Sequence, residues 1–274
     1  MPVLLPVAGL AIGILVSLMG GGGGIFYIII LTGLFHLPVP IAASTSLATI
    51  IPTTLMAFSS HYRQGNIKVN VALWLILGAV AGAVIGSYSS AWIPPAYQTK
   101  ILGLILLAIL VPMLKRKKQS GVNTPQTSVA DGETGHDRET YTTTVDTVSS
   151  ARAFSQHLLA VFYGLFGGIM SGMVGISGTP PILAGLYALG FKAKEVVGTS
   201  LMVLLAIGIT GFIAHFAIGL INWQIVILLG VGTVTGAFIG PLLLNRIDTD
   251  VLEKFYEPFF FLLVGFFGLY ELLV

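Results

Sequence analysis

Long apolar runs, broken by a few residues of glycine, proline or polar side chains, occupy most of this chain. A helix crossing the hydrocarbon of a bilayer needs about 20 apolar residues. The runs predict ten helical segments, over 3–19, 24–37, 41–60, 70–92, 98–114, 154–174, 180–190, 196–218, 223–244 and 255–273. The second and seventh are short for a full crossing. Each follows a glycine-rich break, Gly20 to Gly24 in one case and Gly175, Gly178, Thr179, Pro180 and Pro181 in the other. Short segments interrupted in this way point to broken or re-entrant helices. The first run starts at Val3 with no basic residue before it, so it lacks the charged region of a signal peptide and reads as a retained membrane segment. One long polar stretch, from Lys115 to about Arg152, is rich in Thr, Ser, Asp, Glu and Gly and is expected to be a flexible linker.

The pattern on one side of that stretch repeats on the other. Thr45, Ser46 and Leu47 recur as Thr199, Ser200 and Leu201, His61 as His215, and Gly65 as Gly219, all at one constant offset. Gly78, Gly82 and Gly86 recur as Gly232, Gly236 and Gly240 at the same offset. Upstream, after a slip of one residue, Gly9, Gly13, Gly20 and Gly23 recur as Gly164, Gly168, Gly175 and Gly178. Two copies of a membrane-embedded unit are the usual build of a secondary transporter.

Composition excludes a soluble protein. The chain is 55% hydrophobic and 9% charged, with mean hydropathy +0.94, against about 25% charge in soluble domains. It has no cysteine, which removes disulfides, thiolate metal sites and cysteine nucleophiles. The positions of the 13 Lys and Arg matter more than the net charge of +2. With the polar stretch in the cytoplasm and the segments alternating outward, every Lys and Arg except Lys100 falls inside, as the positive-inside rule requires. Each half then has an odd number of segments, so the second enters the membrane upside down. The expectation is an all-α integral membrane protein of two inverted five-segment repeats with short broken or re-entrant helices. Residues 1–114 form the first transmembrane repeat, 115–153 a polar cytoplasmic linker and 154–274 the second, inverted repeat. Both termini lie outside the cell membrane.

These residues carry a resemblance. The glycine run, then Ala43-Ser44-Thr45-Ser46-Leu47, His61-Tyr62, Gly65-Asn66-Ile67 and the glycine ladder from Gly78 resemble the sulfite exporter TauE/SafE family. The second half repeats the pattern in Gly178-Thr179-Pro180-Pro181, Gly198-Thr199-Ser200-Leu201, His215 and Gly219-Leu220-Ile221. The similarity covers nearly the whole chain outside the polar stretch. It implies a transporter of small sulfur-containing anions such as sulfite, thiosulfate or organosulfonates. One departure stands out: Ile25-Phe26-Tyr27-Ile28 follows the first glycine run, where such proteins usually have a proline.

Candidate chemistry sits at the breaks. A helix start presents unpaired N–H groups and the positive end of the dipole, which suit an anion. Gly22, Gly23 and Gly24 in one half, and Gly178 and Thr179 in the other, are therefore candidate substrate-binding residues, with close helix packing as the alternative. Thr45, Ser46, Thr199 and Ser200 offer hydroxyls to the same anion, or bond back to a carbonyl one turn earlier. His61 and His215 are the ionisable residues that recur at the repeat offset, which makes them candidates for gating or proton coupling. His36 has no counterpart and reads as interfacial.

The glycine ladders have small-xxx-small spacing and read as packing seams, either internal or between the subunits of a homodimer. Trp74, Trp92 and Trp223 fall near segment ends, as interface anchors do. Glu257 and Glu271 lie near the two ends of the last segment, and no acid or base falls in the middle of any, so no buried carboxylate is expected. There is no nucleotide-binding P-loop, and no residue cluster has metal-ligand spacing. The chain is read as a transporter and not an enzyme, with no metal or cofactor, and with an anion and the bilayer, not nucleic acid, as partners. A passive anion channel and a proton-coupled importer are the alternatives.

Overall fold

The computed structural model describes residues 4–19, 23–119, 142–218, 221–244 and 262–273, and every regular element among them is helical. Five helices precede the polar stretch: α1 (Leu4–Met19), α2 (Gly24–Leu34), α3 (Val39–Arg63), α4 (Val69–Trp92) and α5 (Pro95–Gln119). Five follow it: α6 (Thr142–Val174), α7 (Thr179–Ala188), α8 (Ala193–Ile218), α9 (Trp223–Leu244) and α10 (Leu262–Leu273). Hydrocarbon offers the backbone no water, so each apolar run closes its hydrogen bonds within itself. α5 runs on through the basic residues Lys115 to Lys118, and α6 starts well before its apolar part. Residues 120–141 of the expected linker, and Glu257, lie outside the described residues.

Glycine and proline set the ends. Gly65 takes φ 70 after α3, where Asn66 N–H bonds His61 O and Gly65 N–H bonds Tyr62 O. Gly190 does the same after α7 at φ 84, with Phe191 N–H on Leu186 O and Gly190 N–H on Tyr187 O. Both are Schellman caps, which require a left-handed residue just past the helix.

α7 has 10 residues, about 15 Å at 1.5 Å per residue, and α2 is of similar length. Each covers about half of a 30 Å hydrocarbon layer. Four helices are long and apolar enough for a full crossing by themselves: Val39–Arg63, Val69–Trp92, Ser155–Val174 and Glu195–Ile218. Leu77, Ile85, Phe162, Ile213, Val231 and Phe238 project from these and neighbouring helices as exposed apolar side chains, the surface a lipid solvent selects. Trp92 is 87% exposed at the end of α4 and Trp223 is 50% exposed at the start of α9. Trp74 stacks on the His157 ring, with centroids 4.7 Å apart.

The glycine ladders are internal seams. A Cβ on Gly78, Gly82 or Gly86 of α4 would collide with the carbonyls of Val161, Leu165 or Ile169 of α6. From the other side, Gly164, Gly168 and Gly172 abut the carbonyls of Leu75, Ala79 and Ala83. α9 meets α1 in the same way: Gly232 and Gly236 face Pro6 and Leu10, while Gly9 and Gly13 face Leu229 and Thr233. So the first helix of each half packs along the fourth helix of the other, through repeat-equivalent residues. In both seams residue numbers rise together, so the paired helices run in the same direction. α3 and α8 instead cross in opposite directions, with Gly211 on Leu47 and Gly208 on Ile50 and Ile51. Two apolar clusters result. α2 sits in one with α1, α5 and α10, and α7 in the other with α4 and α8.

Candidate functional site

The two breaks meet each other. A Cβ on Gly24 would stand 2.6 Å from Cβ of Ser177 and 2.7 Å from the carbonyl carbon of Ile176, so the start of α2 touches the chain just before α7. Gly23 caps α2 at φ 68 and Gly178 caps α7 at φ 62, each in the left-handed region. The first break therefore forms without the proline the family pattern leads one to expect, because glycine reaches this geometry unaided. Gly22 lies outside the described residues.

The second break carries more irregular backbone. Gly175, Ser177 and Gly178 all have positive φ, and for Ser177, at φ 65, the conformation is strained. Its hydroxyl lies 2.7 Å from that of Thr179. The pair has two protons and one bond between them, which leaves one proton for another acceptor. Ser46 Oγ donates to Gly175 O at 2.8 Å, so α3 is fastened to this break, and Gly175 lies against Ala43.

The starts of α2 and α7 offer different donors. The first intrahelical bond of α2 runs from Tyr27 N–H to Gly23 O, so the N–H groups of Gly24 and Ile25 have no carbonyl a turn behind them. In α7 the first such bond is Ile182 N–H to Gly178 O. Pro180 and Pro181 have no N–H, which leaves Thr179 N–H together with the two hydroxyls. Both starts are nonetheless N–H-rich helix ends buried in protein, the setting in which an anion replaces water.

The other hydroxyls hold different partners. Thr45 Oγ1 donates to Ile41 O at 2.8 Å and Ser200 Oγ to Val197 O at 2.9 Å, both within their own helix. Thr199 Oγ1 accepts Lys68 N–H at 3.0 Å and so caps the start of α4, beside the Lys68–Glu195 ion pair at 3.0 Å. Gly23, Gly24, Ser46, Gly178 and Thr179 are thus brought together, whereas Thr45, Thr199 and Ser200 serve helix geometry. Deeper in, Tyr27 is fully buried with its hydroxyl 3.2 Å from Thr53 Oγ1, which extends the polar face of α3 toward α2.

The histidines sit apart from the breaks' own contacts. His215 is fully buried, with Nε2 2.9 Å from Gly172 O. A carbonyl only accepts, so Nε2 carries the proton and ties α8 to α6, while Nδ1 has no partner. His61 is partly buried in the last turn of α3, and its Nδ1 is likewise unpartnered.

One buried group escapes the sequence pattern. Glu271, expected near an exposed segment end, is only 4% exposed and approaches Thr32 of α2. Hydropathy places it at the end of a run, and its burial depends on α2, which is distant in sequence.

Helices of membrane length, a lipid-facing apolar surface and two half-length helices meeting at their starts define a multi-pass helical membrane protein of the transporter class. The family model for sulfite exporter TauE/SafE matches residues 5–270, and the chain belongs to this family. The chain is 30% identical over 250 residues to the probable membrane transporter protein YdhB of Bacillus subtilis (strain 168), covering 89% of this chain and 90% of that protein. It is 26% identical over 258 residues to the probable membrane transporter protein YunE of the same organism, covering 91% of each. No solved structure matches it.

Proposed function

We propose that the chain is a secondary transporter, working as an exporter, of small sulfur-containing anions such as sulfite, thiosulfate or organosulfonates. One observation carries the reading: the two glycine breaks, far apart in sequence, come together with N–H and hydroxyl donors around them. The family description names sulfite, and a sulfur oxyanion has the size and charge that such donors suit.

The halves are inverted repeats, with both termini outside and the polar linker in the cytoplasm. The opposed crossing of α3 and α8 and the exchange of first and fourth helices support this reading. So does the Lys68–Glu195 pair, which joins two turns that the charge distribution assigns to one side. Alternating access follows from rocking one half against the other about the breaks. A potential negative inside drives an anion outward by about 2.3 kcal/mol per charge per 100 mV. His61 and His215, near opposite ends of their helices, belong to two gates.

Gly24→Ala tests the site. φ at Gly24 allows alanine, but the new methyl would force the breaks apart. Binding of thiosulfate and sulfite to purified protein should weaken at least about tenfold, the factor that corresponds to roughly 1.4 kcal/mol. Gly230→Ala, which meets open space, is the control. Equal affinity in the two variants would dismiss the breaks as the anion site. Saturable counterflow in proteoliposomes separates the transporter from a channel, which shows no exchange-stimulated flux.

A further inference from the structure

We infer that Glu271 is a proton-binding site, and that its proton couples the anion's movement to the pH gradient; this rests on the anion-transport reading above. Three observations carry it. Glu271 is 4% exposed on α10, and its Oε1 has no hydrogen-bond partner. Thr32, also buried, lies within hydrogen-bonding reach of its carboxyl. The Thr32 hydroxyl also lies 2.9 Å from Ile28 O.

Proton counting settles the direction of the bond. A carbonyl has no proton to give, so the single hydroxyl proton of Thr32 goes to Ile28 O. Toward Glu271, Thr32 then offers only a lone pair. The carboxyl must be the donor, so the arrangement fits the protonated acid and not the carboxylate. An ionised carboxylate here would also be left without countercharge in a medium that penalises bare charge heavily.

The surroundings agree. α10 lies on α5 through Gly103 and Gly268, and on α2 through Phe267 and Gly33. The ionisable residues of these elements are Tyr27 and His36 on or just after α2, Tyr97, Lys100 and the Lys115 to Lys118 run on α5, and Tyr270 on α10. Tyr27 is engaged with Thr53, and His36 and Lys100 are exposed. The one ion pair among the described residues, Lys68–Glu195, involves none of them.

Geometry links this acid to the anion site. Gly24 starts α2 at the breaks, and Thr32 lies near its other end, about 12 Å along the same helix at 1.5 Å per residue. Thr32 falls in a widened last turn, where Phe35 N–H reaches back to Ile30 O, a form frequent at functional sites. When the carboxyl releases its proton to water, Thr32 loses its donor and α2 its hold on α10. Loading and unloading the proton therefore moves the helix that begins at the anion site.

The test has two arms on the full chain. In purified protein in lipid at neutral pH, infrared spectra of the wild type should show a protonated-carboxyl stretching band that moves on deuteration and is lost in Glu271→Gln. In proteoliposomes, labelled thiosulfate flux should respond to an imposed pH gradient in the wild type, and that response should be lost in Glu271→Gln. Absence of any Glu271-dependent protonated band overturns the proposal. So does a Glu271→Gln variant with the wild-type gradient response, or a flux that follows sodium instead of protons. If the wild type moves no sulfur anion, the transport reading falls, while the infrared arm still decides the proton site.

Discussion

Ser177 holds a backbone conformation that costs a non-glycine residue roughly 1–2 kcal/mol, and its hydroxyl is turned to Thr179. Strain of this kind persists where surrounding structure enforces it, and here it lies at the contact between the two breaks. The hydroxyls divide by where their protons go. Thr179→Val removes a donor at the break, and a hydrogen bond to a charged group contributes about 1.5–3 kcal/mol, so sulfite or thiosulfate affinity should fall at least tenfold. Ser200 already donates to Val197 O, so Ser200→Ala should change affinity by less than about twofold. Binding titrations on both variants check the pair, and the reverse order of effects would move the site to α8. The residue scale was partly legible in sequence. Runs of glycine announce where φ turns positive, and the repeat singled out Thr179. Which hydroxyls are occupied depends on carbonyls one turn back or across the fold, and the burial of Glu271 depends on Thr32, so neither could be read from local pattern.

At the scale of the elements, the four seam glycines of α1 and α9 and the six of α4 and α6 set how closely two pairs of backbones approach. Gly82→Leu places a side chain where the carbonyl of Leu165 sits. Overpacking typically costs 1–3 kcal/mol, and more where backbone must move, so the melting temperature in detergent should drop while substrate preference is kept. A well-folded Gly82→Leu protein with altered preference would overturn the packing role. The apolar segments were legible because a bilayer fixes the length of a run. The true ends of α5 and α6 were not, because a helix continues its hydrogen bonds past the membrane surface where hydropathy stops reporting. The half-length of α2 and α7 was legible as shortness, and their meeting point was not, since it depends on how the halves dock.

The whole molecule is organised by exchange between halves, and its orientation is open to direct measurement. The natural chain has no cysteine, so single reporters need no prior removal. Gln64→Cys, in the turn after α3, should react with a membrane-impermeant thiol reagent from the cytoplasmic side. Gln224→Cys, in the repeat-equivalent place at the start of α9, should react from outside. Labelling of both from one side would refute inversion. The repeat itself was legible from recurring glycines at one offset. The swap of partners was not, because a sequence offset says which residues are equivalent and not which ones touch.

That swap has a consequence for how the protein is made. α1 leaves the ribosome first, but its seam partner α9 comes near the end, after Gly9 and Gly13 have been in the membrane for most of synthesis. At about 5–20 residues per second, the wait is on the order of ten seconds or longer. Throughout it, one glycine-lined face of α1 must be covered by lipid or by the insertion machinery. Neither half contains both sides of either seam, so a chain halted after α5 has no finished domain to protect. Quality control in the membrane then has a simple criterion, because an α1 still unpaired when synthesis ends marks a molecule that has failed to assemble.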